Sequence, residues 1–360
     1  MSRESIPYDS FSRGPFPVGV RTTQAPDKAR DRLFPVEIWY PASDHYAGQD
    51  QTAPTQDSFT VPSTEIRRRQ MAVRDAASRS GTYPLILFSH GSARAARRMA
   101  TYLCTHLSSY GYIVAALNHF EVVATDLVPR DADPERQRAR LQAVLENRPK
   151  DLIFLLDHVL QGLALDAETS VDAGRVGAVG FSFGGWTVLA ATELEHRLRA
   201  VVALAPGGNS QPKPGIVPAK LGFDWKRDVP TLYLAAENDV MTPLPGICEL
   251  FERTPATRQM VVLRRSDHVH FLDDVEVEHE NVRNIKWTGV LAWINEEMRP
   301  ISELCSGQEA NLFVRGMTVA HFDAVLKELP EAQRFLASDL EAELAAREVH
   351  ALIPLREGGD

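Results

Sequence analysis

Residues 180–185 (GFSFGG) place Ser182 between two glycines, each two positions away from the serine. The segment before it, 175–180, has the composition of a short buried strand, and residues 183–197 continue as a helix. A serine on so tight a strand-to-helix turn takes a strained backbone conformation, and the flanking glycines remove side chains that would collide there. The pattern predicts a nucleophile elbow with Ser182 as the nucleophile; the alternative is an ordinary glycine-rich turn.

A nucleophilic serine needs a general base, and the base needs a carboxylate that orients it. In proteins with such an elbow, the carboxylate follows the serine in the sequence and the histidine follows the carboxylate. Asp239 follows a predicted strand at 231–236 and precedes a turn that contains proline. We favour Asp239 over Glu237 as this carboxylate, although an aspartate there could instead only cap the next helix.

Two histidines compete for the role of the base after the predicted strand at 260–265. His268 is favoured because it lies nearer the strand end, which leaves His270 as a neighbouring pocket residue. A histidine base must be neutral to accept the serine proton, so activity is expected to rise with pH through the titration of His268.

Two backbone N–H groups are expected to bind the negative charge that develops on the substrate oxygen. The first is that of Phe183 at the start of the helix. The second is that of Ser92, which follows Gly91 in the loop after an early strand. His90 is interpreted as a residue that orders this loop.

Four further side chains near the predicted strand ends are candidates for substrate contacts: His90, His119, Trp186 and His270. No metal is predicted, because the acidic run Glu276, Glu278 and Glu280 around His279 lacks the ligand spacing of a zinc-binding helix. No cofactor is predicted either, because the glycine-rich motifs of nucleotide-binding loops do not occur in the sequence.

The elements that must position these residues alternate between strand and helix. Residues 84–117 read as strand, helix and strand, and further strands recur up to residue 265. This order predicts an α/β protein with a doubly wound, mostly parallel sheet flanked by helices, and with loop or helical insertions over the active site. The remaining predictions are a helix near 65–78 and two C-terminal helices, 319–329 and 333–346, separated by Pro330.

We predict one domain over residues 1–340, followed by a helical extension at 341–360. Insertions into that domain are expected at four places: 42–82, 118–148, 207–228 and 275–312.

The composition of the 360-residue chain excludes several other classes of protein. Hydrophobic residues make up 44% and charged residues 24%, which is ordinary for a globular protein. The net charge of −9 argues against nucleic-acid binding, since a phosphate backbone would be repelled. The basic runs at 67–69 and at Arg94, Arg97 and Arg98 are interpreted as solvated faces.

The predicted compartment is the cytoplasm. The three cysteines, Cys104, Cys248 and Cys305, are far apart and odd in number, which predicts reduced thiols rather than a disulfide framework. The first 17 residues lack the apolar run of a secretory signal, and no stretch is long and apolar enough to predict a membrane span.

Several segments together resemble one family of hydrolases. They are residues 14–19 (GPFPVG) with 39–41 (WYP), residues 88–91 (FSHG) with 107–111 (LSSYG) and 114–116 (VAA), the elbow 181–185 (FSFGG), and residues 268–273 (HVHFLD). The chain resembles the α/β-hydrolase superfamily, and within it the platelet-activating-factor acetylhydrolase and dienelactone-hydrolase-like group. The likeness covers roughly residues 14–335, with Phe181 standing where the group has a histidine.

The resemblance implies a serine esterase in which His268 deprotonates Ser182 and Asp239 holds His268. Dienelactone hydrolases proper use a cysteine nucleophile, so Ser182 favours hydrolysis of a small, short-acyl carboxylic ester over that of a lactone. A lactone or polyester hydrolase, or an acyltransferase with the same three residues, stays as an alternative. The expected partner is a small-molecule ester; the sequence leaves a homo-oligomer open.

Overall fold

The computed structural model describes residues 8–62, 64–92, 96–119, 134–162, 165–166 and 168–354. Within them the strands are β1 (Val18–Asp27), β2 (Arg32–Pro41), β3 (Asp57–Thr60), β4 (Arg67–Gln70), β5 (Val73–Arg74), β6 (Gly81–Ser89), β7 (Ile113–Leu117), β8 (Thr169–Phe181), β9 (Leu198–Leu204), β10 (Thr231–Ala236), β11 (Arg258–Leu263) and β12 (Ala351–Leu352). The α-helices are α1 (Thr101–Ser109), α2 (Pro134–Gln161), α3 (Phe183–Leu194), α4 (Leu244–Arg253), α5 (Val275–Arg283), α6 (Trp293–Glu297), α7 (Gly307–Leu326), α8 (Pro330–Leu336) and α9 (Leu340–Ala345). Short 3-10 turns include Ala96–Arg98 and His268–Phe271.

Ten of these strands form one sheet in the order β12-β11-β10-β9-β8-β6-β7-β2-β1-β5. The central run from β11 to β7 is parallel, and β2 joins β7 antiparallel. The predicted mostly parallel sheet is therefore confirmed. The central strands are buried on both faces, which matches their near-continuous apolar sequences.

Helices cover the sheet on both sides. One hydrophobic cluster joins one face of the sheet to α1 and α7, and a second joins the other face to α2, α3 and α4. Because parallel strands all end at the same edge, the loops after β6, β8, β10 and β11 meet there. These four loops carry the residues predicted to do chemistry.

The helix predicted near 65–78 is wrong, because β4 and β5 occupy that segment. Along β4 the side chains alternate between exposed and buried, which is the period of a strand. Arg68 points inward and forms ion pairs with Asp274 and Glu278, while β3 supplies the backbone partner. Pairing with β3 and the ion pairs of Arg68 therefore decide that this polar segment forms a strand and not a helix.

The C-terminal helices also differ from the prediction. Helix α7 begins at Gly307, well before 319, and Pro330 is the first residue of α8, where its missing N–H costs nothing. Asp339 caps α9 with its side chain and so divides the predicted helix at 333–346. The extension predicted at 341–360 is not wholly helical, because β12 pairs antiparallel with β11.

No helix in the described part of the chain is both long enough and apolar enough to cross a membrane. Cys104, Cys248 and Cys305 are all free thiols, and burial raises the pKa of each of them.

Buried histidines predict acid sensitivity of the fold. His321 on α7 bonds the Pro230 carbonyl at 3.1 Å, and burial lowers its pKa to about 4. The unfolded chain therefore takes up this proton first as the pH falls. The contribution of neutral His321 to the free energy of unfolding is fully present above about pH 6.5, the pKa of this histidine in the unfolded chain. It is lost as the pH falls from about 6.5 towards 4, by up to about 1.4 kcal/mol per pH unit.

We expect His321→Gln to lose less unfolding free energy than the wild type between about pH 7 and pH 5, by about 2 kcal/mol. Urea unfolding of both proteins at the two pH values measures this difference directly. Equal losses in the two proteins would show that His321 does not cause the acid sensitivity.

Candidate active site

Ser182 lies at the sharp turn between β8 and α3, in a strained conformation with φ 56° and ψ −117°. A Cβ on Gly180 would lie 2.1 Å from the Gly184 carbonyl oxygen, and one on Gly184 would lie 1.9 Å from that of Ser89. Neither contact is tolerable, so both positions require glycine. The predicted elbow geometry is present.

Two hydrogen bonds join the three residues predicted to act together. His268 Nε2 lies 2.8 Å from Ser182 Oγ, and His268 Nδ1 lies 2.7 Å from Asp239 Oδ2. The loops after β8, β10 and β11 thus bring the serine, carboxylate and imidazole into one line, although they are far apart in the sequence. This chain of hydrogen bonds ends at Ser182 Oγ, the atom that a substrate carbonyl carbon would approach.

The Asp239 carboxylate is itself fixed in place. Its Oδ1 accepts hydrogen bonds from the backbone N–H groups of Met241 and Thr242, each at 2.8 Å. Its Oδ2 accepts the Thr242 hydroxyl at 2.8 Å as well as the His268 imidazole. Asp239 therefore shapes its own turn while it holds the histidine. Thr242 helps to hold the Asp239 carboxylate in place, and the sequence did not predict this role, although Thr242 lies only three residues after Asp239.

The other carboxylate considered, Glu237, lies apart from this line. Its Oε2 accepts the backbone N–H of Arg265 at 2.8 Å, and its Oε1 lies 3.6 Å from Arg264. These contacts give Glu237 a role in the turn after β11.

His270 lies in a buried network, and a contact between His270 and substrate stays a prediction. Its Nδ1 lies 2.8 Å from Asp267 and its Nε2 lies 3.1 Å from the Cys305 carbonyl. Asp267 also pairs with His279 at 2.8 Å. Burial would raise the pKa of Asp267, but hydrogen bonds from the two histidines hold it well below its usual range.

The Asp267 side chain also accepts the Val269 backbone N–H and so caps the turn His268–Phe271. The network with His270 and His279 therefore supports the turn that carries His268.

The loop after β6 lies directly against the serine. A Cβ on Gly91 would lie 3.1 Å from Ser182 Cβ, which is tighter than an ordinary side-chain contact, so glycine favours this close approach. The Gly91 backbone N–H is directed to Met99 Sδ at 3.2 Å. Ser92 is therefore the next backbone donor on this loop. The N–H of Phe183, as the first residue of α3, has no partner within the helix.

His90 and His119 are internal supports of this loop, as interpreted for His90, and a contact of either with substrate stays a prediction. His90 Nδ1 lies 2.7 Å from the Gly91 carbonyl, and its Nε2 accepts the His119 backbone N–H. His119 Nε2 lies 3.0 Å from Ser89 Oγ, and its Nδ1 lies 3.1 Å from Asp151. Burial and the nearby Arg148 lower the pKa of both histidines well below the usual range, so both are neutral.

Asp151 is a buried carboxylate on α2 that the sequence reasoning missed. Burial raises its pKa to about 6, and Arg30 and Arg32 counter that rise. Arg148 lies one turn earlier on α2 and is fully buried. The sequence carries no local signal for this pair, because α2 has many other charged residues and only burial sets these two apart.

Trp186 is buried and stacks on Phe183, with ring centroids 5.0 Å apart and planes 9° apart. Its Nε1 points to the Lys220 carbonyl at 3.4 Å, below the predicted insertion 207–228. A contact between Trp186 and substrate stays a prediction.

Arg97 and Arg98 do not form a solvated face, which corrects the interpretation of these two residues. Arg97 and Arg98 both pair with the buried carboxylate of Glu37, at 3.3 and 2.8 Å, and Arg74 joins them at 3.1 Å. Arg94 lies outside the described residues, as does 120–133 within the predicted insertion 118–148.

Among the residues that the structure describes, no three His, Cys, Asp or Glu side chains are grouped closely enough to hold a metal ion.

Comparisons with known families agree with this geometry. Residues 104–298 match the sequence model of the dienelactone hydrolase family, and residues 11–152 match that of platelet-activating factor acetylhydrolase, isoform II. Together the two matches include the loops of Ser92, Ser182, Asp239 and His268.

Individual relatives are more distant. Platelet-activating factor acetylhydrolase of Cavia porcellus is 26% identical over 283 residues, which cover 68% of this chain and 62% of that protein. Cutinase est1 of Thermobifida alba is 23% identical over 235 residues, which cover 65% of this chain and 68% of that protein. This chain therefore spans less than two thirds of the acetylhydrolase.

A solved structure of a ferulic acid esterase from Streptomyces cinnamoneus superimposes with a TM-score of 0.62 and covers 98% of both chains. At 22% identity this likeness concerns the fold. The predicted α/β-hydrolase fold is confirmed.

Proposed function

This chain belongs to the dienelactone hydrolase family, and we propose that it cleaves carboxylic esters through an acyl-enzyme on Ser182. The observation that carries the proposal is the unbroken line of hydrogen bonds from Ser182 Oγ through His268 to Asp239. A serine at a strained elbow, bonded to a histidine that is bonded to a carboxylate, is the arrangement that activates a hydroxyl for acyl transfer.

The first half of the reaction makes the acyl-enzyme. His268 Nε2 takes the Ser182 proton as Oγ attacks the ester carbonyl carbon, and Asp239 stabilises the resulting imidazolium. The N–H groups of Ser92 and Phe183 bind the oxyanion of the tetrahedral intermediate. Collapse of the intermediate breaks the bond to the alcohol oxygen, and His268 returns the proton to the leaving alcohol.

The second half uses water in place of the serine. His268 takes a proton from the water as its oxygen attacks the acyl carbon, and the same two N–H groups bind the second oxyanion. Ser182 leaves with the proton from His268, which releases the carboxylic acid and restores the enzyme.

We propose a small ester with a short acyl group as the substrate. The two neighbours of Ser182 in the chain carry aromatic rings: the Phe181 ring centre lies 4.8 Å from that of His268 and 5.8 Å from that of Phe271, and Phe183 stacks on Trp186. Such bulky rings beside the nucleophile favour a small acyl group. The name of the Cavia porcellus relative, an acetylhydrolase, also supports a short acyl group.

The test combines a substrate series with covalent labelling of the serine. We expect turnover of p-nitrophenyl esters to be fastest for acetate and butyrate and to fall steeply towards dodecanoate. We also expect an alkyl fluorophosphonate to abolish that turnover and to modify one peptide, the one that contains Ser182, as read by mass spectrometry.

Absence of turnover on every ester, or a label on another residue, would contradict the proposal. Hydrolysis of lactones alone would favour the lactonase alternative. Transfer of the acyl group to added alcohol in preference to water would favour the acyltransferase.

A further inference from the structure

Arg148 is an arginine with no solvent exposure, and it lies behind the reaction centre. It projects from α2 and contacts two separate elements that border Ser182. Burying a guanidinium costs free energy unless hydrogen bonds satisfy it, so the contacts of Arg148 explain why the fold tolerates this charge here.

The first element that Arg148 contacts is the loop after β6. Its Nη2 donates a hydrogen bond to the His90 carbonyl oxygen. The next peptide group of the loop, between Gly91 and Ser92, is held by His90 Nδ1, which donates to the Gly91 carbonyl at 2.7 Å. In a trans peptide the C=O and N–H groups point in opposite directions, so these bonds fix where the Ser92 N–H points.

The second element is the first turn of α3. Arg148 Nε donates to Thr187 Oγ1 at 2.9 Å, and that hydroxyl donates to the Phe183 carbonyl at 2.7 Å. The guanidinium carbon also lies 4.7 Å from the centre of the Phe183 ring. The same side chain therefore fixes the residue whose N–H begins the helix.

We propose that Arg148 is a positioning residue that sets the spacing of the two oxyanion donors, the N–H groups of Ser92 and Phe183. The inference rests on the proposed ester hydrolysis. One planar guanidinium bonds the loop with one nitrogen, bonds α3 with another and stacks on the Phe183 ring. A change in its shape alters the distance between the donors without touching the substrate.

The side chain must be an arginine for this role. Its fixed fork of donors reaches two acceptors on different elements at once, and its flat face stacks on an aromatic ring. A lysine would keep the positive charge, but its compact ammonium cannot hold both acceptors and the ring in one geometry.

The experiment compares Arg148→Lys with the wild-type protein on p-nitrophenyl acetate, with kcat expressed per Ser182 labelled at the end point by fluorophosphonate. We expect kcat per labelled site to fall by about 10- to 100-fold, with KM within about threefold, because the lost contacts matter only when charge develops. The affinity for a trifluoromethyl ketone should weaken by the same factor, since its adduct with Ser182 places an oxyanion in the same position.

A merely structural role would lower the number of labelled sites and leave kcat per site unchanged. That result, or a rise in KM at constant kcat, would overturn the inference. If the wild type neither turns over esters nor labels at Ser182, the proposed function fails and this inference fails with it.

Thr187→Val supplies a milder variant in case Arg148→Lys folds poorly, because it removes one anchor of the guanidinium and keeps the side-chain shape. We expect a fall in kcat per labelled site of roughly 3- to 10-fold, the size of one ordinary hydrogen bond, because the contacts of Arg148 with His90 and the Phe183 ring remain. Thr192→Val is the matched control: Thr192 is buried on the same helix and its hydroxyl likewise bonds the carbonyl four residues back, at Val188. It should retain wild-type kcat, and an equal fall in both threonine variants would contradict the role of Arg148.

Discussion

Replacing Ser182 by alanine is expected to lower kcat for p-nitrophenyl acetate by roughly 10⁵-fold or more. The variant keeps the His268–Asp239 pair and the donors of the oxyanion site, but it has no oxygen to form the acyl-enzyme. Residual turnover should come only from water held in the site. The measurement is steady-state kinetics beside the wild type, at matched concentrations and with the fluorophosphonate label followed in both.

Ser170→Ala is the matched control for this prediction. Ser170 lies on the same strand, β8, but at its opposite end, where its hydroxyl bonds Thr82 at 2.9 Å. It is exposed, so its loss should leave kcat unchanged. Turnover by Ser182→Ala within tenfold of the wild type would assign the nucleophile elsewhere.

The line from Ser182 to Asp239 could be anticipated from the sequence because each member lies next to a strand with a clear apolar signature. In a parallel sheet the strand ends meet at one edge, so residues that follow β8, β10 and β11 must converge there. The glycines around Ser182 added a local constraint that few other turns share. Local sequence and sheet topology together were enough for these positions.

The supports of the site could not be anticipated in the same way. Arg148 and Asp151 lie on α2, far along the chain from the loop that they hold, and nothing local distinguishes them from exposed charges on a helix. Their meaning depends on burial, which only the packed structure reveals. The same holds for Arg97 and Arg98, whose partner Glu37 lies on β2.

The histidines show how burial separates similar residues. Four histidines lie near strand ends: His268, His270, His90 and His119. From the sequence alone, each of them is a candidate for lining the pocket. In the structure only His268 among these four contacts Ser182 Oγ, whereas both ring nitrogens of each of the others are bonded to groups outside this line. Their role is to hold loops in place.

Asp239→Asn should lower kcat by about 10⁴-fold while the fold stays intact. The two backbone N–H groups at Met241 and Thr242 require an acceptor at the Oδ1 position. The amide oxygen of the new asparagine must therefore take that place, and its NH₂ group must face His268 Nδ1. Facing a donor, Nδ1 gives up its proton, so Nε2 carries the proton and points it at Ser182 Oγ. A protonated Nε2 cannot accept the serine proton, which stops acylation.

Glu237→Gln is the matched control, because it makes the same carboxylate-to-amide change two residues earlier on the same loop. The Glu237 carboxylate accepts the Arg265 backbone N–H, whereas His268 Nδ1 bonds Asp239, so the Glu237 variant should keep wild-type kcat. The two variants also separate the two carboxylates that the sequence left in competition. A large loss in Glu237→Gln with little loss in Asp239→Asn would reverse the assignment, and equal small losses would show that no carboxylate orients the base. The substitution changes the tautomer of His268 and leaves the fold intact. The thermal unfolding temperature of Asp239→Asn should therefore stay within a few degrees of that of the wild type. One preparation then distinguishes a loss of catalysis from a loss of structure.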